Sequence, residues 1–258
     1  MTYISSPLNN IVPRPKPNGQ LKAPEAARYR TAGIIGGIAP QSTSLFYQTI
    51  VEYCLKRQLP AFPNLLINSI NPWEVVDILK HKDMQSLFLL LEKEISRIQD
   101  QADFLVMVCN SVHAVVDPLR KVLGVPIMAI YEEVCKEIDQ TNIKKIGILG
   151  TKTTVDHCFY QKELLKFGIT AAVLPPAMET AFDTFIFEEM LHGRGTGTMK
   201  NLILAGIEHL KDQGCEGIVL ACTELPLFID QEDVDIPLFS STKILAQAVV
   251  QECFSMKK

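Results

Sequence analysis

Two stretches of the chain drive an apolar run into a cysteine and then into polar residues: "LVMVCNSVHA" from Leu105 to Ala114, and "IVLACTELPL" from Ile218 to Leu227. Each reads as a strand that stops at a thiol, Cys109 or Cys222, with a helix starting just beyond. A cysteine at such a junction lies among backbone N–H groups that lack intrahelical partners, at the positive end of a helix dipole. Those surroundings favour thiolate and lower a thiol pKa from its usual ~8.5. The same N–H groups, with the side chains of Asn110, Ser111 and Thr223, offer a place for a small carboxylate. Two thiols on opposite faces of one carbon can take a proton from one side and return one from the other, which inverts a stereocentre. Charge developing on the substrate would be held by the two helix N-termini and the polar side chains, so this chemistry asks for neither a metal nor a pyridoxal cofactor.

A single cysteine ending an apolar run is more often a small buried hydrophobe. The paired occurrence, with polar residues following both times, is what turns the reading toward chemistry. Cys54, Cys135, Cys158, Cys215 and Cys253 have no such context and read as packing. His113 stands one helical turn after Cys109, where it either holds a proton near the sulfur or lies on a helix surface. Glu224 follows Thr223 and either tunes the second thiol or stabilises a helix N-terminus by its charge.

The elements that must position these residues follow from the rest of the chain. With 47% hydrophobic and 21% charged residues and a formal charge of −4, the composition is that of a soluble globular protein with no basic footprint for nucleic acid. No apolar run approaches the roughly 20 residues needed to cross a bilayer, and the first residues lack the order of a signal peptide, so a cytoplasmic protein with no membrane partner is expected. Seven cysteines without a C-x-x-C pair argue against both a disulfide framework and a zinc site. Residues 1–30, rich in proline and asparagine, read as an extended arm. From Thr31 onward, short β-type runs alternate with helical ones, which predicts an α/β fold with parallel sheets and chemistry at the strand ends. "TTVDHCFYQKELLKFG" reads as one helix, and "VPIMAI" and "IPLF" as β-type segments.

The halves repeat. Cys109 lies 73 residues beyond Gly36 at the end of "GIIGG", and Cys222 lies 72 beyond Gly150 at the end of "GILG". Each cysteine is followed by a proline-containing β-type segment. The expectation is two pseudo-symmetric α/β domains, residues 31–125 with 237–258 and residues 126–236, facing each other across a cleft that brings both thiols together.

These residues resemble the pyridoxal-independent aspartate/glutamate racemases, in the aspartate racemase branch. The resemblance runs through "GIIGGIAPQSTSLFYQTIV", "CNSVH", "IGILGTKTTVDHCFYQKEL", "CTELPL" and "STKILAQAVV" and covers nearly the whole chain after Thr31. It implies an interdomain active site, commonly in a homodimer, an amino acid as substrate, and proton-transfer roles for Cys109 and Cys222. It also implies substrate contacts from Asn110, Ser111, Thr151, Thr154 and Thr223, with Gly36 and Gly37 shaping the floor of the site.

Departures from the family pattern bear on the substrate. The family's "GGMGPEAT" reads "GGIAPQST" here, and Thr153 replaces a permissive glycine of the T-x-G-T loop. The arginine that aspartate-specific members carry after the second strand is missing from "NSINPWEVVDILK", and the lysine of the helical stretch after "VLPP" is missing from "AMETAFDTF". A buried side-chain carboxylate without a cation is costly, so broad or non-acidic specificity is expected, unless Lys152, Arg57 or Arg194 reaches the pocket. The competing readings are a superfamily isomerase or decarboxylase that uses one cysteine, and a metabolite-binding protein that has lost catalysis.

Overall fold

The computed structural model describes residues 29–188 and 197–255, so most of the expected N-terminal arm, and Arg194, lie outside the described residues. Two parallel sheets carry the molecule. The first has strand order β2-β1-β3, with β1 at Thr31–Gly36, β2 at Asn64–Ser69 and β3 at Phe104–Met107. The second has order β5-β4-β6-β7, with β4 at Lys145–Gly150, β5 at Thr170–Val173, β6 at Gly217–Ala221 and β7 at Leu238–Ser240. Helices cover both faces, so β3 and β6 are buried along their full length and read as unbroken apolar runs rather than alternating ones.

The repeat survives into the hydrogen bonding. Leu105 N–H donates to Pro126 O at 2.8 Å, and Ile218 N–H donates to Pro237 O at 2.9 Å. Each proline-containing segment therefore lies beside its cysteine strand, as a full strand in β7 and as a single parallel bridge, Leu105 to Ile127, in the first sheet. This moves the expected domain boundaries. Residues 126–128 extend the first sheet and β7 completes the second, so the chain crosses between halves at Ala129 and Ser240. The helices beyond those points are exchanged: α5 (Ile130–Asp139) packs against α7 (Phe159–Lys166) of the second half, while α10 (Ser241–Phe254) packs against α1 (Pro40–Lys56) and β1 of the first. Leu245, Val249 and Val250 enter the core that holds Ile34, Phe46 and Ile50 of the first half, whereas Val134, Cys135 and Ile138 enter a core shared by both halves, with Tyr160 and Leu164 of α7.

One helix adds to the sequence expectation and two details differ from it. The segment after β2 forms a helix, α2 (Pro72–Lys80), begun by Asn71, whose side chain accepts from Trp73 N–H, and by Pro72 in the first turn. The single helix expected after β4 is two, α6 (Lys152–Asp156) and α7, broken where Cys158 takes a left-handed φ of 55°. After Cys109 the chain first makes a 3-10 turn, Ser111–Val115, and α4 (Val116–Val122) starts only then. The remaining helices are α3 (Met84–Ser96), α8 (Pro176–Glu188) and α9 (Gly197–Asp212). Among the described residues, no helix is long and apolar enough to cross a membrane.

Candidate active site

The residues that follow β3, β4 and β6 line one cleft, Cys109, Asn110 and Ser111 from the first half and Thr151, Cys222, Thr223 and Glu224 from the second. Cys109 is half-buried and Cys222 buried. Neither thiol stands at the N-terminus of a long helix, as the sequence suggested. Beyond Cys222 there is only a 3-10 turn, Leu225–Leu227, with Pro226 in it, and the next α-helix is α10. A turn of three residues sums few peptide dipoles, so the macrodipole that would stabilise thiolate is largely absent.

The electrostatics follow from that. Loss of hydration, and next the nearby Glu224 carboxylate, push the Cys109 thiol up to about 12, against donors at Val112 and Ser111 that favour its anion. The same two causes raise Cys222 well above its ordinary value. Its thiol donates to Glu224 Oε2 at 3.0 Å, and Thr223 Oγ1 donates to the same oxygen at 3.2 Å. Burial raises the Glu224 carboxyl as well, against those two hydrogen bonds.

A hydroxyl cluster bridges the halves: Ser111 Oγ lies 2.8 Å from Thr151 Oγ1 and 3.4 Å from Thr154 Oγ1, and the two threonine hydroxyls are 3.0 Å apart. Thr151 also caps α6 by accepting from Thr154 N–H, which fixes the cluster to the end of β4. Thr153 sits inside α6 without a positive φ, so its replacement of the family glycine strains nothing.

Asn110, expected at the substrate, has its side chain committed to the fold. Its Oδ1 accepts from Tyr160 OH at 2.7 Å and its Nδ2 donates to Ser241 Oγ at 3.0 Å, whose hydroxyl in turn donates to Leu220 O at 2.8 Å. This buried chain ties the residue after Cys109 to α7, α10 and β6. Tyr160 and Ser241 carry little signal in the sequence: an aromatic in "HCFYQKEL" announces no polar role, whereas "SST" at a strand-to-helix junction does mark a helix start.

His113 is buried, and both ring nitrogens are used on backbone. Nδ1 lies 2.9 Å from Cys109 O, and Nε2 accepts from Ile130 N–H at 3.1 Å, which makes Nδ1 the protonated nitrogen. The ring does not meet the sulfur. Desolvation lowers its pKa to about 4, so it is a neutral brace between the end of β3 and the start of α5.

Gly36 and Gly37 do not line the cleft; they shape the turn that delivers Ile38 to it. Gly37 has φ 83°, and a Cβ there would lie 2.3 Å from Ile70 O, so only glycine fits. The rest of the lining is apolar: Ile38, Val76 and Leu79 from the first half, Ile186 and Phe187 of α8 from the second. Among the described residues, neither Lys nor Arg lines the cleft. Lys152 pairs with Asp156 at 3.2 Å and Glu179 at 3.8 Å outside it, and Arg57 is exposed at the end of α1 against the Tyr53 ring. Among the described residues, no group of three His, Cys, Asp or Glu side chains is arranged to hold a metal ion.

Comparison with known proteins agrees with this fold. The family model described as Asp/Glu/Hydantoin racemase matches residues 35–249. The broad specificity amino-acid racemase RacX of Bacillus subtilis (strain 168) is 27% identical over 225 residues, covering 84% of this chain and 96% of that protein. PH1733, an aspartate racemase homologue from Pyrococcus horikoshii OT3, superposes with a TM-score of 0.71 at 28% identity, over 86% of this chain and 98% of that one. The Picrophilus torridus aspartate racemase shares the fold, with a TM-score of 0.70 at 18% identity, over 88% of this chain and 95% of that one.

Proposed function

The chain belongs to the Asp/Glu/hydantoin racemase family, and on that premise we propose that it racemises amino acids without a cofactor, with Cys109 and Cys222 exchanging protons with opposite faces of the substrate Cα. The observation that carries this reading is that the two cysteines, from equivalent strands of two related sheets, line one cleft. The α-carboxylate meets the Ser111, Thr151 and Thr223 hydroxyls and the N–H groups after each cysteine, where charge that develops as Cα loses its proton finds donors already in place. Thr154 holds Ser111 and Thr151 in position from behind.

The substrate side chain is uncharged. An acidic side chain in the cleft would meet apolar walls and the Glu224 carboxylate, and desolvating it without a cation costs several kcal/mol, roughly. That the B. subtilis relative bears the name of a broad specificity racemase supports the same reading. The working form is a homodimer, as the family resemblance implies.

Incubating single-enantiomer amino acids with the protein in D2O, without added cofactor, tests both parts. Deuterium should enter Cα with inversion for neutral side chains. Absence of exchange with every amino acid would overturn the racemase reading, and aspartate or glutamate leading in kcat/KM by tenfold, about 1.4 kcal/mol, would overturn the substrate reading alone.

A further inference from the structure

The catalytic cleft by itself leaves little room for a substrate side chain. Its free volume is about 30 Å³, roughly the share of a single water molecule. A second cavity, of about 480 Å³, adjoins it and falls in the range of small-molecule sites. Leu79 of α2 and Phe187 of α8 line both spaces, and among the described residues no other side chain does. They come from opposite halves, Leu79 buried and Phe187 half-buried, and form a constriction between the two. The walls change character across it. On the catalytic side Ile38, Val76 and Ile186 join them, whereas the far side is polar, with Lys82 from the first half and Lys152, Thr153, Asp156 and Asp183 from the second.

Charges in the outer cavity are already matched to one another. Lys152 pairs with Asp156 at 3.2 Å and Glu179 at 3.8 Å, Lys82 reaches Asp156 at 3.7 Å across the halves, and Asp183 Oδ1 accepts from Lys152 N–H at 2.8 Å. A charged group placed among them gains from one sign and is opposed by the other. A neutral amide donates and accepts at once and leaves each pair intact. Resting on the proposed racemase reading, we propose that the outer cavity is the subsite for the far end of the substrate side chain, that Leu79 and Phe187 are the specificity-determining residues between which its stem passes, and that the preferred substrates are neutral amino acids whose methylene stem ends in an amide. Glutamine has that form. Its two methylenes match the apolar constriction, and its amide meets the Thr153 hydroxyl and the carboxylates and ammonium groups beyond. Norleucine fills the constriction but brings no polar end, and alanine has no stem to place in it.

The test is kcat/KM for racemisation of glutamine, norleucine, alanine and lysine. In the unaltered protein glutamine should lead norleucine and alanine by about tenfold or more. Phe187→Trp narrows the constriction and should lower the ratio of the glutamine value to the alanine value by about tenfold. Lys82→Glu alters only the outer cavity, at a side chain 72% exposed, so it decides the matter even if the tryptophan variant fails to fold. It turns the cavity acidic and should raise lysine relative to glutamine by about tenfold. Lys93→Glu, on the exposed face of α3 and in neither cavity, should leave that ratio unchanged. Equal values for glutamine and norleucine, or ratios that neither Phe187→Trp nor Lys82→Glu moves, would overturn the subsite. If the unaltered protein racemises no amino acid, the racemase reading fails, and calorimetric titration with the same amino acids judges the cavity alone. Glutamine should then still bind more tightly than alanine and lose that advantage in Phe187→Trp; equal binding would overturn the subsite.

Discussion

The ends of β3 and β6 are built on the same plan and held in place by different chemistry. At Cys222 the turn secures itself, with Leu225 N–H donating to Cys222 O at 3.2 Å, and the helix that follows β7 is capped by its own neighbour, Ser240, accepting from Lys243 N–H. At Cys109 the carbonyl is held by the His113 ring, and the same ring supplies the cap that Ala129 cannot give α5. Around the sulfurs the contrast is one of sign: donors surround Cys109, and a carboxylate faces Cys222. A duplicated scaffold thus brings two thiols to one cleft in different surroundings.

The contrast is challenged most severely at the sulfurs. Cys109→Ser and Cys222→Ser should each lower racemisation by about a thousandfold, since a serine hydroxyl is too weak an acid to replace the thiol, although size is nearly kept. Chiral analysis of product over time checks it. Full racemisation by either variant would mean that the two ends are not partners in one reaction.

Next in size is the brace that only the first half possesses. His113 has its pKa lowered from 6.5 to about 4, so the unfolded chain takes up its proton first as pH falls. The stability it contributes is complete above pH 6.5 and is lost as pH falls from there toward 4; by pH 4.5 the loss is about 2–3 kcal/mol. Urea unfolding at pH 7.5 and 4.5 should show a drop larger by about that amount in the unaltered protein than in His113→Gln. Equal drops in the two proteins would mean that the ring is not held neutral between Cys109 and Ile130.

A milder change is expected where the two ends are tied to each other. Tyr160→Phe removes the hydroxyl that donates to Asn110 Oδ1 and leaves a buried acceptor unpaired, at a cost of about 1–3 kcal/mol in thermal or urea unfolding. An unchanged stability would show that the chain from Tyr160 through Asn110 to Ser241 does not tie the halves together.

Much of this architecture is legible in the amino-acid order. Apolar runs buried on both faces give away the strands, the spacing of Gly36 to Cys109 and Gly150 to Cys222 gives away the repeat, and the residues after each cysteine mark the site. The departures share one cause, which is that partners distant in sequence set local outcomes. Asn110 reads as free for substrate, yet Tyr160 and Ser241, 50 and 131 residues away, use its amide. His113 reads as one turn from a sulfur, but Ile130 draws its ring to backbone. The helix dipoles expected beside both thiols give way to 3-10 turns.

The parallel α/β class, the duplication and the identity of the two thiols are properties of the sequence, because period, composition and spacing belong to neighbouring residues. Only the closed fold decides that β7 completes the second sheet, that the cleft is walled by Ile38, Val76, Leu79, Ile186 and Phe187, and that burial and Glu224 raise both thiols above their ordinary values. Those are consequences of burial and of the distance between charges, and burial exists only once the chain has closed on itself.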